Sequence, residues 1–378
     1  MNSSEAKKTV FICIGTRPDI IKMSPIIEEI KNYKAITPYV CASGQHKELA
    51  NNIIEELDIP CDSIFQIMKY QQTPDYVLST LLKKFTQLMI KKSPDLVMIH
   101  GDTATALAGS LAAFYLKIPI FHIEAGFRTY SEVPFPEEHH RRLITNCANY
   151  FACPDPTSVQ NLISEKINTS SIFLTGNSIS DVLYNSIIDK YQFQNSYLEK
   201  FDYEKNIEIV VTLHRSETDA DALRNVCSAL RIISNSNPLI KCFWPVHPNP
   251  RIKNLVEKEL EDTQNIRLLP PIGVRDMHNL LFRASLILTD SAGVQEEAFL
   301  LEKPTLVLRE RTERLDYLDT SRSKLFNPRD PFLPKELEKI IHHLHPHTDF
   351  YITDKLYSKT GASRKIAGIL VNILGLDI

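Results

Sequence analysis

The chain has 378 residues, of which 43% are hydrophobic and 24% charged, and its formal net charge is −3 at pH 7. This is the composition of an ordinary globular protein, and so small a charge gives no reason to expect a nucleic acid or a membrane surface as partner. No apolar run is long enough to span a bilayer, and the start MNSSEAKKTVFICIG is typical of a first strand, not of a signal peptide.

Short apolar runs alternate with helical patterns along the first half of the chain, which is typical of a parallel sheet built from βαβ units. The runs are β-branched or aromatic and do not alternate with polar residues, as expected for strands buried on both faces. The predicted strands are 9–15, 37–43, 95–101, 118–125, 150–155 and 171–177. Amphipathic stretches such as IIKMSPIIEEIKNY predict helices between them.

The pattern begins again after a polar segment of weak periodicity at 189–206. The second set of predicted strands is 207–215, 241–247, 265–271, 285–290 and 304–310. We therefore predict two Rossmann-like, doubly wound α/β domains, residues 1–185 and 186–378, with 362–378 as a closing C-terminal helix. Ligands of such sheets bind beyond the carboxyl ends of the strands, so the cleft between the two domains is the predicted site.

Polar residues and glycines stand at the carboxyl ends of many predicted strands or in the turns and helix starts that follow. They are Gly15, Arg17, Lys22, Gly101, Asp102, His122, Glu124, His214, Arg215, His247, Asp290, Ser291, Gly293, Glu297, Arg309 and Arg314. One polar residue after a strand is often only a helix cap, but helix caps do not require histidine or arginine. The set as a whole therefore predicts a functional site.

The segment DSAGVQEE predicts a turn of small residues that opens a helix after a strand. Free backbone N–H groups and the helix dipole suit a phosphate there, and Arg17, Lys22 and Arg215 would add charged contacts. The turn is neither a Walker P-loop nor a GxGxxG motif, so it predicts neither a mononucleotide kinase nor a dinucleotide enzyme.

Asp102, Glu124 and Glu137 are carboxylates of three neighbouring segments. Carboxylates brought together shift one another's pKa, which lets one act as an acid and another as a base. The alternative is that each forms an ion pair with a nearby arginine, and that Asp102 or Thr103 caps the helix that follows. We expect Asp102 to act both as a cap and as a catalytic group.

Neither the histidines nor the cysteines predict a metal site. The histidines show no ligand spacing, and HHLHPHTDF is typical of a solvated loop. The seven cysteines are scattered and contain no CxxC pair, which favours reduced thiols in a cytoplasmic protein.

Several short motifs follow one another along nearly the whole chain. They are GTRPDIIKMSPII, HGDTATALAGSLAAFY, HIEAGFRT with PFPEE, TGNSISDVL, VTLHRSE, PVHPNP, LTDSAGVQEEA and KPTLVLRERTER. In sequence and order they resemble the motifs of the non-hydrolysing UDP-N-acetylglucosamine 2-epimerases. The resemblance implies a glycosyltransferase-B-like fold and interconversion of UDP-GlcNAc and UDP-ManNAc without NAD, metal or other cofactor. It also implies that UDP is eliminated to leave a 2-acetamidoglucal, and that UDP adds back after a proton returns to C2 on the other face.

The same resemblance implies roles for individual residues. Asp102, Glu124 and Glu137 would be the catalytic carboxylates, and His214 would support the leaving diphosphate. The implied substrate-binding residues are Arg17, Lys22, Arg141, Met277, Ser291, Ala292, Gly293, Glu297 and Arg314, with Glu297 on the ribose. The expected partners are a UDP-sugar substrate and a second copy of the chain in a homodimer, in cytoplasmic polysaccharide biosynthesis.

The sequence departs from the family pattern at positions that bear on the sugar. His140 stands in place of an asparagine, Ala292 in place of a glycine, and Met277 in place of the aromatic residue that stacks on uracil. No catalytic carboxylate is lost, but a 6-deoxy or 3-acetamido relative of UDP-GlcNAc is an alternative substrate. A glycosyltransferase, a hydrolysing 2-epimerase and a non-catalytic nucleotide-sugar sensor are the alternative functions.

Bacterial members of the family bind a second UDP-GlcNAc that activates the enzyme. The positions that resemble this effector site are Gln45, His46, Glu137, Arg215 and His247, and two further positions depart from it. Gln71 replaces a basic residue, and Glu48 replaces a glutamine. Because both changes disfavour a diphosphate, we expect weak or absent activation by substrate.

Overall fold

The computed structural model describes residues 7–44, 53–67, 73–213, 219–318, 321–344 and 354–376. The chain forms two compact units, one of residues up to Val182 together with those from Lys359 onward, and the other of Leu183–Ser358. The division lies close to the boundary predicted after residue 185. The closing helix differs from the prediction, because it belongs to the first unit and not to the second.

The first unit contains a parallel sheet flanked by helices. Its strands are β1 (Lys8–Ile14), β2 (Ile36–Ala42), β3 (Ser63–Ile64), β4 (Leu96–His100), β5 (Ile120–Ile123), β6 (Tyr150–Cys153) and β7 (Ile172–Leu174). Its helices are α1 (Arg17–Lys31), α2 (Pro74–Lys92), α3 (Ala104–Tyr115), α4 (Glu137–Cys147), α5 (Pro156–Ser164) and α6 (Ile179–Ser186), the last of which crosses into the second unit. The strand order is β3-β2-β1-β4-β5-β6-β7, and every pairing is parallel.

The second unit repeats this plan. Its strands are β8 (Ile207–Thr212), β9 (Ile240–Pro245), β10 (Ile266–Leu269), β11 (Leu286–Thr289), β12 (Thr305–Val307) and β13 (Ser323–Leu325), in the order β10-β9-β8-β11-β12-β13. Its helices are α7 (Ser196–Glu199), α8 (Ala220–Ser236), α9 (Pro250–Leu260), α10 (Val274–Arg283), α11 (Ala292–Leu300), α12 (Leu333–Ile341) and α13 (Asp354–Ser358). The last helix, α14 (Ala362–Ile373), packs on α1 of the first unit.

The central strands are mostly apolar because helices cover both faces of each sheet. All residues of β4 and of β8 are buried. Every predicted strand overlaps an observed one, which confirms the predicted strand pattern. The edge strands β3 and β13 were not predicted, because two or three paired residues give too short a pattern to recognise.

The closing helix belongs with the first unit because the apolar face of α14 needs cover that α1 provides. Polar contacts fix the same arrangement. The Asp181 carboxylate accepts hydrogen bonds from the N–H groups of Gly361 and Ser363, at 2.5 and 2.8 Å. Within the described parts of the chain, no helix is long and apolar enough to cross a membrane.

Gly15, directly after β1, has no room for a side chain. A Cβ atom there would lie 2.2 Å from Thr105 Oγ1 and 2.8 Å from Ser43 Oγ, two buried hydroxyls that are hydrogen-bonded to each other. We expect Gly15→Ala to lower the free energy of unfolding by about 1–3 kcal/mol, because the turn must shift to admit the methyl group. Urea unfolding measures this change.

Gly368→Ala is the matched control. Gly368 lies within α14, where an added Cβ meets no atom of the described residues within 4 Å. Since alanine is also the better helix former, this control should be neutral or stabilising. Equal destabilisation by the two substitutions would contradict the steric argument at Gly15.

Candidate active site

The candidate site of the first unit lies at the carboxyl ends of β1, β4 and β5. The strand order reverses between β1 and β4, and this is the position at which open parallel sheets bind their ligands. Arg17 begins α1 after the first of these strands, Asp102 follows the second, and Glu124 follows the third. The structure thus brings these three predicted site residues to one edge of the sheet.

The position of Glu124 is defined by an unusual backbone conformation and by an ion pair with the buried Lys22. The φ of Glu124, at +60°, is in the left-handed region, which residues with side chains rarely occupy and which is found mainly where surrounding structure imposes it. Its carboxylate forms an ion pair with the amine of Lys22, which is only 3% exposed. Lys22 therefore compensates the charge of a half-buried carboxylate. A phosphate, the ligand that we predicted for this lysine, is not needed to explain its position.

Asp102 is paired with an arginine from α4. Arg141 Nε and Nη2 lie 2.7 and 2.6 Å from Asp102 Oδ2. Asp102 does not cap α3, so the prediction of a double role was wrong. Thr103 is the N-cap, and its hydroxyl accepts the Ala106 N–H at 3.2 Å. Because threonine occupies the cap position, the Asp102 side chain is directed to Arg141.

Glu137 begins α4, and its side chain is half-buried. It precedes His140 and Arg141 by three and four residues, so the three share one face of the helix. His140 Nδ1 donates a hydrogen bond to the Asp102 carbonyl at 2.8 Å. Since both His140 and Arg141 contact Asp102, this face of α4 is turned toward the end of β4.

Glu138, which we did not predict, organises the segment before α4. It is buried and accepts hydrogen bonds from the N–H groups of Thr129 and Tyr130, at 2.9 and 3.2 Å. It also lies 3.0 Å from Arg141 Nη1. Glu138 therefore links the loop after β5 to the arginine that pairs with Asp102.

His100 and Asp19 are two further residues that sequence reasoning missed. His100, the last residue of β4, is 3% exposed. Its Nδ1 lies 3.4 Å from Asp19 Oδ1, and its Nε2 lies 3.6 Å from Glu124 Oε2. Asp19 accepts the Thr16 N–H at 3.1 Å. Both residues stand in motifs at strand ends, HGD and GTRPD, and that position could have drawn attention to them.

His122 supports the site from within β5. Its Nε2 hydrogen-bonds the carbonyl of Gly101 at 2.8 Å, and Gly101 has the positive φ of +63° that suits glycine. Burial lowers the pKa of His122 to about 4. The imidazole is therefore neutral at pH 7, and its role is to hold the turn before Asp102.

In the second unit, the predicted phosphate turn begins α11. Ser291 is the N-cap, and its hydroxyl accepts the Val294 N–H at 3.5 Å. The N–H of Ser291 itself donates to Thr289 Oγ1 at 3.0 Å. Ala292 and Gly293 occupy the first turn. In the part of the chain that the structure describes, a Cβ on Gly293 would meet only Ser291 Oγ, at 3.8 Å.

Two other predicted ligands of the second unit lie near this helix. Glu297, within α11, is 8% exposed, and its Oε1 lies 3.7 Å from His278 Nε2. Met277 is half-buried on α10, next to His278 in sequence. His247 follows β9, and its Nδ1 accepts the N–H of Asn249 at 3.2 Å.

Arg314 lies in a buried ionic network. Its Nε donates to Glu296 at 2.5 Å, and its Nη1 lies 3.5 Å from Glu313. Arg309 in turn lies 3.0 Å from Glu313. Glu296 was not predicted, because a glutamate one position before Glu297 is indistinguishable from it in the sequence.

Six of the predicted site residues lie outside the described residues. They are His214, Arg215, Gln45, His46, Glu48 and Gln71. Within the described residues, no group of three or more histidine, cysteine, aspartate or glutamate side chains could hold a metal ion.

Two doubly wound parallel sheets, each with polar residues at its switch point, define an α/β protein of glycosyltransferase-B-like fold. The sequence profile described as UDP-N-acetylglucosamine 2-epimerase matches residues 28–371. The UDP-N-acetylglucosamine 2-epimerase of Bacillus subtilis is 37% identical over 320 residues, covering 84% of this chain and 83% of its own. The chain therefore belongs to the UDP-N-acetylglucosamine 2-epimerase family, whose members are isomerases.

Solved structures agree with this assignment. The UDP-GlcNAc 2-epimerase of Neisseria meningitidis, bound to UDP-GlcNAc, has a TM-score of 0.85 and 31% identity, covering 97% of this chain and 99% of its own. The MurG protein of Acinetobacter baumannii, at 13% identity, has a TM-score of 0.59 and covers 97% of this chain and 99% of its own. At that identity, MurG shares the fold alone.

Proposed function

We propose that this protein inverts C2 of a UDP-2-acetamido sugar without hydrolysing it, with UDP-GlcNAc and UDP-ManNAc as the first candidate pair. The observation that carries the proposal is the pair of carboxylates at adjacent strand ends, Glu124 held by Lys22 and Asp102 held by Arg141. A Cβ on Gly101, the residue before Asp102, would lie 3.9 Å from Glu124 Oε1. The two carboxylates thus belong to one cluster.

The proposed reaction needs a base, an acid and a site for the leaving group. The base removes the proton from C2, the bond from C1 to the UDP oxygen breaks, and a C1–C2 double bond forms in the glucal. A proton then returns to C2 on the opposite face, and the UDP oxygen bonds again to C1. C2–H is weakly acidic, so a positioned base and a stabilised leaving diphosphate each lower the barrier. Asp102, Glu124 and Glu137 are the proposed acid and base groups.

We propose that the UDP diphosphate binds the first turn of α11. Ser291 caps this helix, and Gly293 leaves room for close approach of an anion to the N–H groups of the turn. The proposal also includes the roles that the family resemblance implies for further residues. His214 would support the leaving diphosphate, and the other substrate-binding residues would be Arg17, Arg314, Glu297 and Met277. The N. meningitidis relative, whose structure contains UDP-GlcNAc, supports a UDP-sugar as ligand.

The alternatives differ in the groups that they require. A glycosyltransferase of this fold needs an acceptor pocket and one base, and a sensor needs no catalytic carboxylate. Three carboxylates near one strand edge favour an epimerase over both. His140 is the feature that favours a sugar other than GlcNAc. Its ring lies between α4 and the Asp102 turn, and it takes more space there than the asparagine of the family pattern would.

Proton NMR in D2O tests the proposal directly. With UDP-GlcNAc, in EDTA and without added cofactor, we expect UDP-ManNAc that carries deuterium at C2. Free ManNAc would instead identify a hydrolysing enzyme, and absence of C2 exchange with every substrate tried would refute epimerase activity. The 6-deoxy and 3-acetamido analogues belong in the same assay, since a clear preference for one of them would correct the proposed sugar.

The setting of the enzyme is also a proposal. All seven cysteines are free, which suits a reducing cytoplasm, where UDP-sugars for polysaccharide synthesis would be available. A homodimer is the proposed assembly, and light scattering of the purified protein measures it.

A further inference from the structure

His278 is a buried histidine of α10 that has no part in the reaction proposed above. It is 2% exposed, and its Nε2 lies 3.7 Å from Oε1 of Glu297, which is 8% exposed on α11. Among the described residues, no hydrogen bond is found to the Glu297 carboxylate or to Nδ1 of His278. Buried polar groups without partners are uncommon in folded proteins, so this pair retains capacity to bind a ligand.

The contact between His278 and Glu297 favours one tautomer of the imidazole. With the hydrogen on Nε2, the ring presents a donor to the carboxylate. With the hydrogen on Nδ1, the Nε2 lone pair would face a carboxylate oxygen, and the buried Nδ1–H would have no acceptor in the described part of the chain. The neutral ring with its hydrogen on Nε2 is therefore sufficient, and no charge on His278 is required.

The distance between these two side chains suits a contact that a ligand completes. At 3.7 Å, Nε2 and Oε1 are farther apart than in a hydrogen bond, and a small rotation of the carboxylate closes the gap. Hydrogen bonds of functional groups are often long before the ligand binds and shorten in the complex. Since a carboxylate accepts hydrogen bonds, the matching ligand group is a donor such as a hydroxyl.

We propose that His278 is a positioning residue that orients the Glu297 carboxylate toward the 2′- and 3′-hydroxyls of the UDP ribose, and so makes the site selective for a ribonucleotide. The inference rests on the proposed function and on the place at the ribose that the family resemblance implies for Glu297. The Nε2–H group of His278 holds Oε1, which leaves Oε2 and one lone pair of Oε1 for the hydroxyls. A carboxylate without this contact must lose more rotational freedom when the ribose binds.

Calorimetry with UDP and with its 2′,3′-dideoxy analogue tests this role. The wild type should bind UDP more tightly by about 10–100-fold, because the analogue lacks the hydroxyls that donate to a charged group. His278→Leu keeps the approximate size of the side chain without a donor, and it should reduce this preference by about tenfold through weaker binding of UDP. Its affinity for the analogue, which has no hydroxyl to receive, should change by less than about twofold.

His278→Gln is the conservative variant, because its amide N–H can take the position of Nε2 and reach Glu297. It should keep most of the preference for UDP. His278→Asn places its amide near the position of Nδ1, so it should lose the preference as His278→Leu does, and it replaces that variant if the leucine protein does not fold. Rescue by glutamine and not by asparagine is the result that a space-filling role would not produce.

Leu280→Val is the control for general damage to the helix, because Leu280 is a fully buried residue of α10. This variant should lose stability and keep the wild-type ratio of the two affinities. A reduced ratio in this control would show that the measurement reports damage to α10, and it would overturn the role of His278.

The same titrations separate this inference from the function on which it rests. If the wild type neither binds UDP nor exchanges C2 of any UDP-2-acetamido sugar, the proposed function fails, and the role of His278 fails with it. If the wild type prefers UDP and Glu297→Gln loses the preference, but His278→Leu and His278→Asn keep it, only the role of His278 is overturned. Equal affinity of the wild type for both nucleotides would overturn the inference even if C2 exchange is observed.

Discussion

Glu124→Gln is expected to lower kcat by about 10²–10⁴-fold while the protein stays folded, because the amide cannot accept the C2 proton. Glutamine preserves the size of the side chain, so the left-handed backbone at this position should be retained. Asp102→Asn and Glu137→Gln are expected to act in the same range. Near wild-type turnover in any of these variants would remove that residue from the proposed mechanism.

The measurement for Glu124→Gln is the rate of deuterium incorporation at C2, with UDP affinity determined beside it by calorimetry. UDP affinity should persist, since the proposed diphosphate site lies on α11 and not on Glu124. Glu132→Gln is the matched control, because Glu132 is an exposed glutamate of the same segment of the chain. A comparable loss of rate in this control would show that the assay reports general damage.

Glu208→Gln is expected to stabilise the protein by several kcal/mol at pH 8 and by little at pH 5. Glu208 is fully buried in β8, its Oε2 is 3.2 Å from Ser285 Oγ, and no hydrogen-bond partner is found for its Oε1 among the described residues. Burial raises the pKa of Glu208 from 4.5 to about 8. The folded chain therefore holds a proton that the unfolded chain releases between these two values.

The sign of the pH effect follows from that difference. The contribution of Glu208 alone should lower wild-type stability by about 1.4 kcal/mol for each pH unit as the pH rises from 5 to 8. Glutamine carries no titrating proton, so the advantage of the variant grows over this window and then levels off. Burial also lowers the pKa of neighbouring Lys303 to about 8, which affects stability above that pH and in the opposite direction.

Urea unfolding at pH 5, 6.5 and 8 measures the effect of Glu208→Gln. Glu257→Gln serves as the control, because Glu257 is a solvent-exposed residue of α9 whose removal should add no pH dependence. A constant difference between the Glu208 variant and the wild type at all three pH values would show that Glu208 is not protonated in the folded protein.

The sheets could be predicted from the sequence because their strands are apolar without alternation, a pattern that only strands covered on both faces require. The position of Asp102 and Glu124 at one sheet edge followed from the same pattern, since carboxyl ends of parallel strands meet there. The contacts of His100 with Asp19 and Glu124 could not be predicted, because they depend on how three segments meet in space. The burial of Glu208 was missed for another reason, since one glutamate among apolar residues resembles a solvent-facing strand position.

The cap at Thr103 and the placement of α14 are two further features that could not be predicted from the sequence. Asp102 and Thr103 are both good N-caps, and the sequence does not show which of the two occupies the cap position. The apolar face of α14 indicates burial without saying against which unit.

The return of α14 to the first unit has a consequence for synthesis of the chain. Ser180 and Asp181 hydrogen-bond to Lys359, Gly361 and Ser363, so the first unit is completed by residues that the ribosome makes after the whole of the second. The second unit is continuous and can fold while translation proceeds. Until the final helix emerges, the apolar surface of α1 that it covers stays open to water, and the unit begun first is finished last.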